Sequence, residues 1–377
     1  MKKTALTTFI TMVLLGCGGI AQGQKTIEIF GKIRGLGDES MVLRYRFDGT
    51  TYMDTITAKN DIISFKKEIE LPRPIMATLT YIGAGQDALL ITSTEFFIDN
   101  NVNIVLDGEF GDLYNLKATN SPFFDDVVKL REENREDFLW STKLRAEVFE
   151  LVAAGAGDRD EVKQWSEIQS RMANRQENFI KNNPNSVYAA YLFSLQLLRK
   201  TVDEIEEVFN RFTPEVQRSA FGEQIRTYLE TAKKVAPGAV APNFRQKDID
   251  GNIVTLEQFR GKYVMLMFWG SWCGPCRRSH PHLMELLNAY KDSPLQVIGF
   301  ASDRDRNAWK KAIEDDKLDF IHCNLFDKLD GEDVAALYNV RAFPTKVFID
   351  PQGKIVKTSI GANEKELEEL FETTFGQ

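Results

Sequence analysis

The alternation of hydrophobic and polar residues is clearest between residues 25 and 117. Hydrophobic side chains occupy every second position in several short runs, for example at Ile27, Ile29 and Ile33. This period predicts strands with one buried face, and Asp48-Gly49 between two runs predicts a hairpin turn. We therefore expect an N-terminal antiparallel β-sandwich or barrel. The region contains no Cys and no His, which favours a packing or docking role.

Residues 118–235 follow a helical period instead. Phe124, Val127 and Val128 recur at steps of three and four residues, as one face of a helix requires. Thr201-Val202-Asp203-Glu204 has the pattern of a capping box, in which the Thr and Glu side chains bind free amides at a helix start. The pattern predicts a helical middle region.

Residues 236–377 alternate between strand and helix patterns. Asp250-Gly251 predicts a hairpin turn near the start of this region. The predicted strands cover residues 264–269, 295–301, 321–325, 345–349 and 354–360. The predicted helices cover residues 277–290, 307–315, 331–338 and 364–375. This order predicts a C-terminal α/β domain in which helices cover a central sheet.

Residues 1–23 have the pattern of a secretory signal peptide rather than of a folded element. Lys2 and Lys3 precede an apolar stretch at residues 5–15. Leu14-Leu15-Gly16-Cys17 resembles a bacterial lipoprotein box, which would leave Cys17 as a lipid anchor, whereas cleavage at residues 21–23 would remove it. Either route predicts export to the periplasm or cell envelope. No later stretch reaches the roughly 20 apolar residues of a membrane span.

Composition narrows the possible functions. The chain has 377 residues, which at roughly 100–200 residues per domain predicts two or three domains. Its net charge of -8 makes it a poor partner for nucleic acid. It has only four cysteines, too few for a disulfide framework. Two of them, Cys273 and Cys276, lie three residues apart and are the main candidate for chemistry.

The position of this cysteine pair predicts a redox function. Cys273 follows the predicted strand at residues 264–269 and would cap the next helix, where free amides and the helix dipole favour a thiolate. Arg277 and Arg278 would add positive potential. Cys276 lies one turn further along, placed to attack a mixed disulfide formed at Cys273. The expected product is an intramolecular disulfide.

Several further motifs accompany the pair in residues 236–377. They are Ala241-Pro242-Asn243-Phe244, Asp250-Gly251, Gly261-Lys262, Trp272-Cys273-Gly274-Pro275-Cys276, Pro281, Trp309, Phe343-Pro344-Thr345 and Ile349-Asp350-Pro351-Gln352-Gly353-Lys354. Together they resemble the thioredoxin-like domain of the TlpA-type thiol-disulfide oxidoreductases. Residues 25–235 resemble the DUF4369-like N-terminal region that precedes such domains in secreted proteins of Bacteroidetes.

The resemblance implies roles for individual residues. Cys273 would be the attacking thiol and Cys276 the buried resolving thiol. Pro344 would follow a cis peptide bond, and its backbone would dock an extended substrate segment. The substrate-binding surface would comprise Trp272, Gly274, Pro275, Phe343 and Pro344. The resemblance implies no cofactor and no metal.

The sequence departs from the family pattern at two positions where relatives carry a carboxylate. Met267 stands where many thioredoxins have a buried Asp, and Ser279 stands where relatives often have a Glu. The usual proton acceptor for the Cys276 thiol is therefore not evident. His280 or water could serve, although a histidine on a helix is more often simply solvated. Cys323 is expected to be a buried, inert thiol.

Three other functions stay open at this point. Cys273, Cys276, His280 and His282 could form a zinc site, but two residues on a helix that are two positions apart diverge by about 200°. A peroxiredoxin would need a Pro-x-x-x-Thr-x-x-Cys motif, which the chain lacks. A non-enzymatic binding module of the cell envelope would carry the dithiol incidentally.

The sequence thus predicts an exported thiol-disulfide oxidoreductase. Gly274-Pro275 is the dipeptide of thioredoxin, a reducing couple. This favours a reductase of protein disulfides that receives electrons from a membrane donor, with an oxidase or isomerase as the alternative direction.

Overall fold

The computed structural model describes residues 25–81, 83 and 93–376. Cys17 and the predicted signal peptide lie outside these residues. The chain divides into two compact units, one up to residue 178 and one from residue 179 onward. None of the helices in the described ranges has the length and hydrophobicity that a membrane-spanning segment requires.

The first unit begins with eight strands that form two four-stranded sheets. The strands are β1 (Thr26–Arg34), β2 (Ser40–Phe47), β3 (Thr50–Thr57), β4 (Ile62–Glu68), β5 (Ile75–Tyr81), β6 (Ser93–Ile98), β7 (Asn103–Glu109) and β8 (Lys117–Thr119). The sheet orders are β4-β1-β7-β8 and β3-β2-β5-β6. Side chains from both sheets, such as Ile27 and Met41, share one hydrophobic core. The predicted N-terminal sheet domain is therefore present.

The prediction that all of these strands are antiparallel is wrong for one pair, because β1 and β7 run parallel. Between them the chain forms β2 and β3 in the other sheet, β4 beside β1, and then β5 and β6 in the other sheet. Gly31 on β1 lies opposite Leu106 on β7, and a Cβ at Gly31 would stand 2.4 Å from the Leu106 carbonyl oxygen. The alternation of buried and exposed residues is the same for parallel and antiparallel neighbours, so the sequence pattern could not reveal this pairing.

The hairpin predicted at Asp48-Gly49 is confirmed. The two residues have φ angles of 50° and 75° and connect β2 to β3, with Phe47 paired to Thr50. Two-residue loops with positive φ at both positions match the twist of the strands they join.

Two long helices follow the sheets, α1 (Phe124–Ala153) and α2 (Asp160–Asn182). They are joined by a buried ionic contact. Asp137 on α1 accepts hydrogen bonds from Arg171 at 2.5 Å and from Arg175 at 2.6 Å, both on α2. The hydrogen bond from Arg171, supported by Arg175, outweighs burial and lowers the pKa of Asp137 from 3.8 to about 2.

This contact predicts a specific dependence of stability on acid. Because the pKa is lower in the folded state, the stabilisation is complete above about pH 4 and is lost as the pH falls toward about 2. We expect Asp137→Asn to be less stable than wild type above that window and to lose less stability across it. Urea denaturation at several pH values gives the unfolding free energy of wild type and of Asp137→Asn, and hence the slope of each with pH. Asp160→Asn, which changes an exposed carboxylate on α2, is the control, and parallel slopes for wild type and Asp137→Asn would contradict the prediction.

The second unit begins with the end of α2 and four shorter helices. They are α3 (Val187–Ser194), α4 (Val202–Arg211), α5 (Pro214–Gln217) and α6 (Ala220–Lys234). The capping box predicted at the start of α4 is present, since Glu204 N–H donates to Thr201 Oγ1 while the Glu204 carboxylate accepts from Thr201 N–H.

A seven-stranded sheet forms the centre of the second unit. Its strands are β9 (Arg245–Asp248), β10 (Ile253–Thr255), β11 (Tyr263–Trp269), β12 (Leu295–Ala301), β13 (Ile321–Lys328), β14 (Thr345–Ile349) and β15 (Ile355–Ile360). Its helices are α7 (Gly274–Ala289), α8 (Arg306–Asp315), α9 (Val334–Leu337) and α10 (Glu364–Phe375). The strand order is β10-β9-β13-β12-β11-β14-β15, with β11, β12 and β13 mutually parallel.

Most elements predicted for this unit are confirmed, and one is shorter than expected. The helix predicted at residues 331–338 reduces to α9. Asp330 and Gly331 have φ angles of 55° and 78°, and Asp333 caps the helix, so regular helix cannot begin earlier. The strand that contains Cys323 extends three residues beyond its predicted end.

Two hydrophobic clusters pack against the sheet. One contains Phe244, Phe268, Phe300 and Tyr338. The other, which we call the cysteine-side cluster, contains both cysteines of the pair together with Met267, Trp269, Leu283, Trp309 and Phe371. The pair therefore belongs to a core that is built from β11, α7, α8 and α10.

Candidate redox site

The cysteine pair lies where β11 ends and α7 begins. Cys273 and Cys276 form a disulfide with an S–S distance of 2.00 Å and a Cα–Cα distance of 5.3 Å. Cys273 is the N-cap of α7, and its sulfur accepts from the Cys276 N–H at 3.3 Å. Cys273 keeps 5% of its surface exposed, whereas Cys276 has none. The sequence predicted this position at the carboxyl end of a strand and the start of a helix.

Two of the residues expected to bind substrate, Trp272 and Phe343, contact each other although they lie far apart in sequence. Trp272 is 64% exposed, and its indole Nε1 donates to the Ser302 carbonyl at 2.8 Å. Its ring meets Phe343 edge to face at 5.9 Å, and Phe343 packs against the cysteine-side cluster. The Phe343–Pro344 peptide bond is cis, as the resemblance implies.

The first turn of α7 contains Gly274 and Pro275. A Cβ at Gly274 would lie 3.3 Å from Arg278 Nη1, so this guanidinium covers the turn. Pro275 stands at the first or second helical position, where its missing N–H removes no helical hydrogen bond.

A buried aspartate that the sequence analysis missed holds the loop before the pair. Asp303 is 4% exposed, and its carboxylate accepts from Ser271 N–H at 2.9 Å and from Ser271 Oγ at 2.5 Å. Asn324 Nδ2 donates to the Asp303 carbonyl at 2.8 Å. A signal was available, because Asp303 follows β12 and the carboxyl ends of adjacent parallel strands lie side by side.

The structure corrects the expectation for His280, which is buried rather than solvated. It is 1% exposed, its Nδ1 lies 2.6 Å from Asp316 Oδ2, and its ring meets Trp269 edge to face at 4.9 Å. Burial lowers the pKa of His280 despite the opposing effect of Asp316. For Asp316 burial acts to raise the pKa, but hydrogen bonds from Arg277 and His280 outweigh it and lower the pKa.

Arg277, which the sequence suggested could add positive potential at Cys273, is paired with carboxylates. Arg277 forms a two-point contact with the Asp316 carboxylate through Nε and Nη2 and lies 3.8 Å from Asp315. Its charge is balanced by these carboxylates near the end of α8. Arg278, next to Gly274, is the arginine that borders the pair.

The remaining candidates occupy separate positions. Cys323 on β13 is a buried free cysteine, and burial raises the pKa of its thiol to about 12, so its thiolate is scarce. His282 Nε2 contacts Glu368 Oε1 at 2.7 Å, whereas His280 contacts Asp316. The two imidazoles that a zinc site would need therefore have different partners on different elements.

The chain resembles known proteins over part of its length. The AhpC/TSA family model matches residues 237–358. Thiol-disulfide oxidoreductase ResA of Bacillus cereus is 35% identical over 145 residues, which cover 38% of this chain and 82% of that relative. ResA of Halalkalibacterium halodurans is 31% identical over 134 residues, which cover 36% of this chain and 74% of the relative.

A solved structure also resembles part of the chain. The thioredoxin domain of a thiol-disulfide oxidoreductase from Bacteroides vulgatus is 36% identical, and the match covers 36% of this chain and 97% of that one with a TM-score of 0.32. Three observations agree: the sequence identity to the ResA relatives over most of their length, the disulfide at the start of α7, and the α/β architecture around it. The chain therefore belongs to the thiol-disulfide oxidoreductase family and carries a thioredoxin-like domain.

Proposed function

We propose that the protein reduces disulfides in other proteins of the cell envelope by cycling Cys273 and Cys276 between dithiol and disulfide. The observation that carries this proposal is the disulfide between the N-cap of α7 and a residue one turn further along. This position favours the thiolate of Cys273 once the disulfide is reduced, because free backbone amides and the helix dipole stabilise negative charge there.

The reaction proceeds through a mixed disulfide. The Cys273 thiolate attacks one sulfur of the substrate disulfide, so that the Cys273–substrate bond forms and the other substrate sulfur leaves as a thiolate. Cys276 then attacks Cys273, forming the intramolecular disulfide and releasing the second substrate sulfur. The substrate gains two electrons and two protons, and the cysteine pair loses them.

The substrate would bind across the exposed surface beside the pair. Trp272 provides a large exposed apolar face. Its ring contacts Phe343, which directly precedes Pro344. Gly274 and Pro275 contribute only small side chains to the turn beside Cys273, and the Arg278 guanidinium lies next to Gly274. We propose that an extended segment of the substrate pairs with the backbone at Pro344.

The organisation of the rest of the chain supports an envelope location. We propose that residues 1–23 direct export, with Cys17 as a possible lipid anchor, and that a membrane donor returns electrons to the pair. Residues 25–117 and 118–235 would form the DUF4369-like region that selects clients, and residues 236–377 the redox domain.

Equilibration of the purified protein with glutathione buffers tests the proposed direction. We expect a reduction potential near that of thioredoxin, about -270 mV, with reduction of insulin disulfides by the reduced protein. A potential above about -150 mV would indicate an oxidant and contradict the reductase proposal. Reduced protein that transfers no electrons to insulin would contradict the proposed activity altogether.

A further inference from the structure

Resolution of the mixed disulfide requires that the Cys276 thiol lose its proton inside a closed core. Cys276 has no exposed surface. Its neighbour Met267 cannot accept a proton. Ser279 could be a candidate, but its Oγ donates to the Cys276 carbonyl at 2.9 Å, which commits the hydroxyl to the backbone of α7.

His280 is placed to take this proton. It follows Cys276 by four residues on α7, and residues with this spacing are neighbours on one helix face. Helical side chains lean toward the N-terminus, so we expect the His280 ring to lie over the turn that carries Cys276. Trp269, which packs against the His280 ring, belongs to the same cluster as Cys276.

The hydrogen bonds of His280 fix which nitrogen can accept. Asp316 is held as a carboxylate by Arg277 and His280, and a carboxylate only accepts hydrogen bonds. The His280 Nδ1 facing it therefore carries the hydrogen, and Nε2 of the neutral ring carries the lone pair. Nε2 is buried and has no hydrogen-bond partner among the described residues.

We propose that His280 accepts the proton of the Cys276 thiol through Nε2, with Asp316 as the positioning residue that holds the imidazole. This inference rests on the proposed function. The proton moves from Cys276 to Nε2, the resulting thiolate attacks Cys273, and the Cys273–substrate bond breaks. The leaving substrate thiolate then takes up a proton, either from the His280 imidazolium or from water, so that the cycle balances.

The charged groups around His280 agree with a base that is neutral before the reaction. Arg277 on α7 and Lys346 on β14 oppose protonation of His280, and Asp316 favours it. Burial also opposes it. His280 in turn lowers the pKa of the buried His322 on β13. A neutral imidazole with a carboxylate behind it can accept a proton and then share the positive charge with that carboxylate.

Lys346 is another buried basic group on this side of the sheet, and its contacts point elsewhere. Its Nζ lies 3.4 Å from the Gly361 carbonyl, and its electrostatic partners are Glu366 and Glu364 near the start of α10. Lys346 therefore belongs to a polar cluster with Glu364 and Glu366. This cluster lies on the side of β14 that borders β15.

Reaction of the reduced protein with Ellman's reagent separates the two thiol steps. Attack by Cys273 releases one nitrothiobenzoate, and attack by Cys276 on the mixed disulfide releases a second. We expect His280→Gln to leave the first release unchanged and to slow the second roughly 100-fold near neutral pH. The difference between the two rates should shrink as the pH rises, because hydroxide then competes with His280 as the proton acceptor.

The chain provides a matched control and a second test. His282→Gln makes the same change on α7 at a histidine that contacts Glu368, and both releases should match wild type. Asp316→Asn should slow the second release less than His280→Gln and shift its pH profile in the same direction. If His280→Gln does not fold, Asp316→Asn alone tests the role of His280.

The outcomes distinguish this inference from the function on which it rests. An unchanged second release with a wild-type pH profile in His280→Gln, or in Asp316→Asn if only that variant folds, would overturn the role of His280. The absence of a second release in the wild-type protein would overturn the proposed dithiol cycle itself.

Discussion

Cys273→Ser is expected to abolish the reduction of insulin disulfides, with a loss of roughly 1,000-fold or more in rate. A hydroxyl at the N-cap of α7 still accepts the helix amide but does not ionise near neutral pH, so no nucleophile remains to attack the substrate. Cys276 is fully enclosed and cannot replace it. The measurement is the rate of insulin reduction by full-length protein that has first been reduced.

Cys276→Ser provides the complementary result. Its Cys273 can still attack, but the mixed disulfide is not resolved, so client proteins should accumulate on Cys273 and run as higher bands on non-reducing gels. Cys323→Ala is the control, because Cys323 is buried and its thiolate is scarce, and we expect a rate close to wild type. Substantial insulin reduction by Cys273→Ser would show that another residue is the nucleophile.

The features that the sequence predicts well are those with local signals. The predicted bounds of β12, β14 and α10 agree with the structure, and each is a short run with one clear period and a turn or cap at its end. Cys273 at the start of α7 also follows from local order alone, since a strand, a short turn and a helix succeed one another along the chain.

The features that the sequence did not reveal depend on contacts between distant residues. The parallel pairing of β1 with β7 joins segments about 75 residues apart in sequence, and a period-two pattern is the same for either strand direction. Asp303 and Asp316 lie 32 and 36 residues from Ser271 and His280, the groups they contact. His280 was expected to be solvated because no local pattern shows that Trp269 covers its ring.

Trp269→Ala is expected to cost about 3–5 kcal/mol of unfolding free energy, as for other fully buried tryptophans. Trp269 has no exposed surface, ends β11 and packs edge to face on the His280 ring. Its indole also fills the space above Gly299, where Nε1 lies 3.3 Å from the position of a Cβ. Removal of the ring therefore leaves a cavity between the sheet and α7 that rigid neighbours on β12 cannot fill.

Trp272→Ala, three residues further along, is the matched control for this change. Its ring is largely exposed, and the main loss is one hydrogen bond from Nε1 to the Ser302 carbonyl, worth at most about 1.5 kcal/mol. Urea denaturation followed by circular dichroism measures both variants, and equal costs would contradict the assignment of Trp269 to the core. Because Trp269 also confines His280, its removal should slow the second nitrothiobenzoate release.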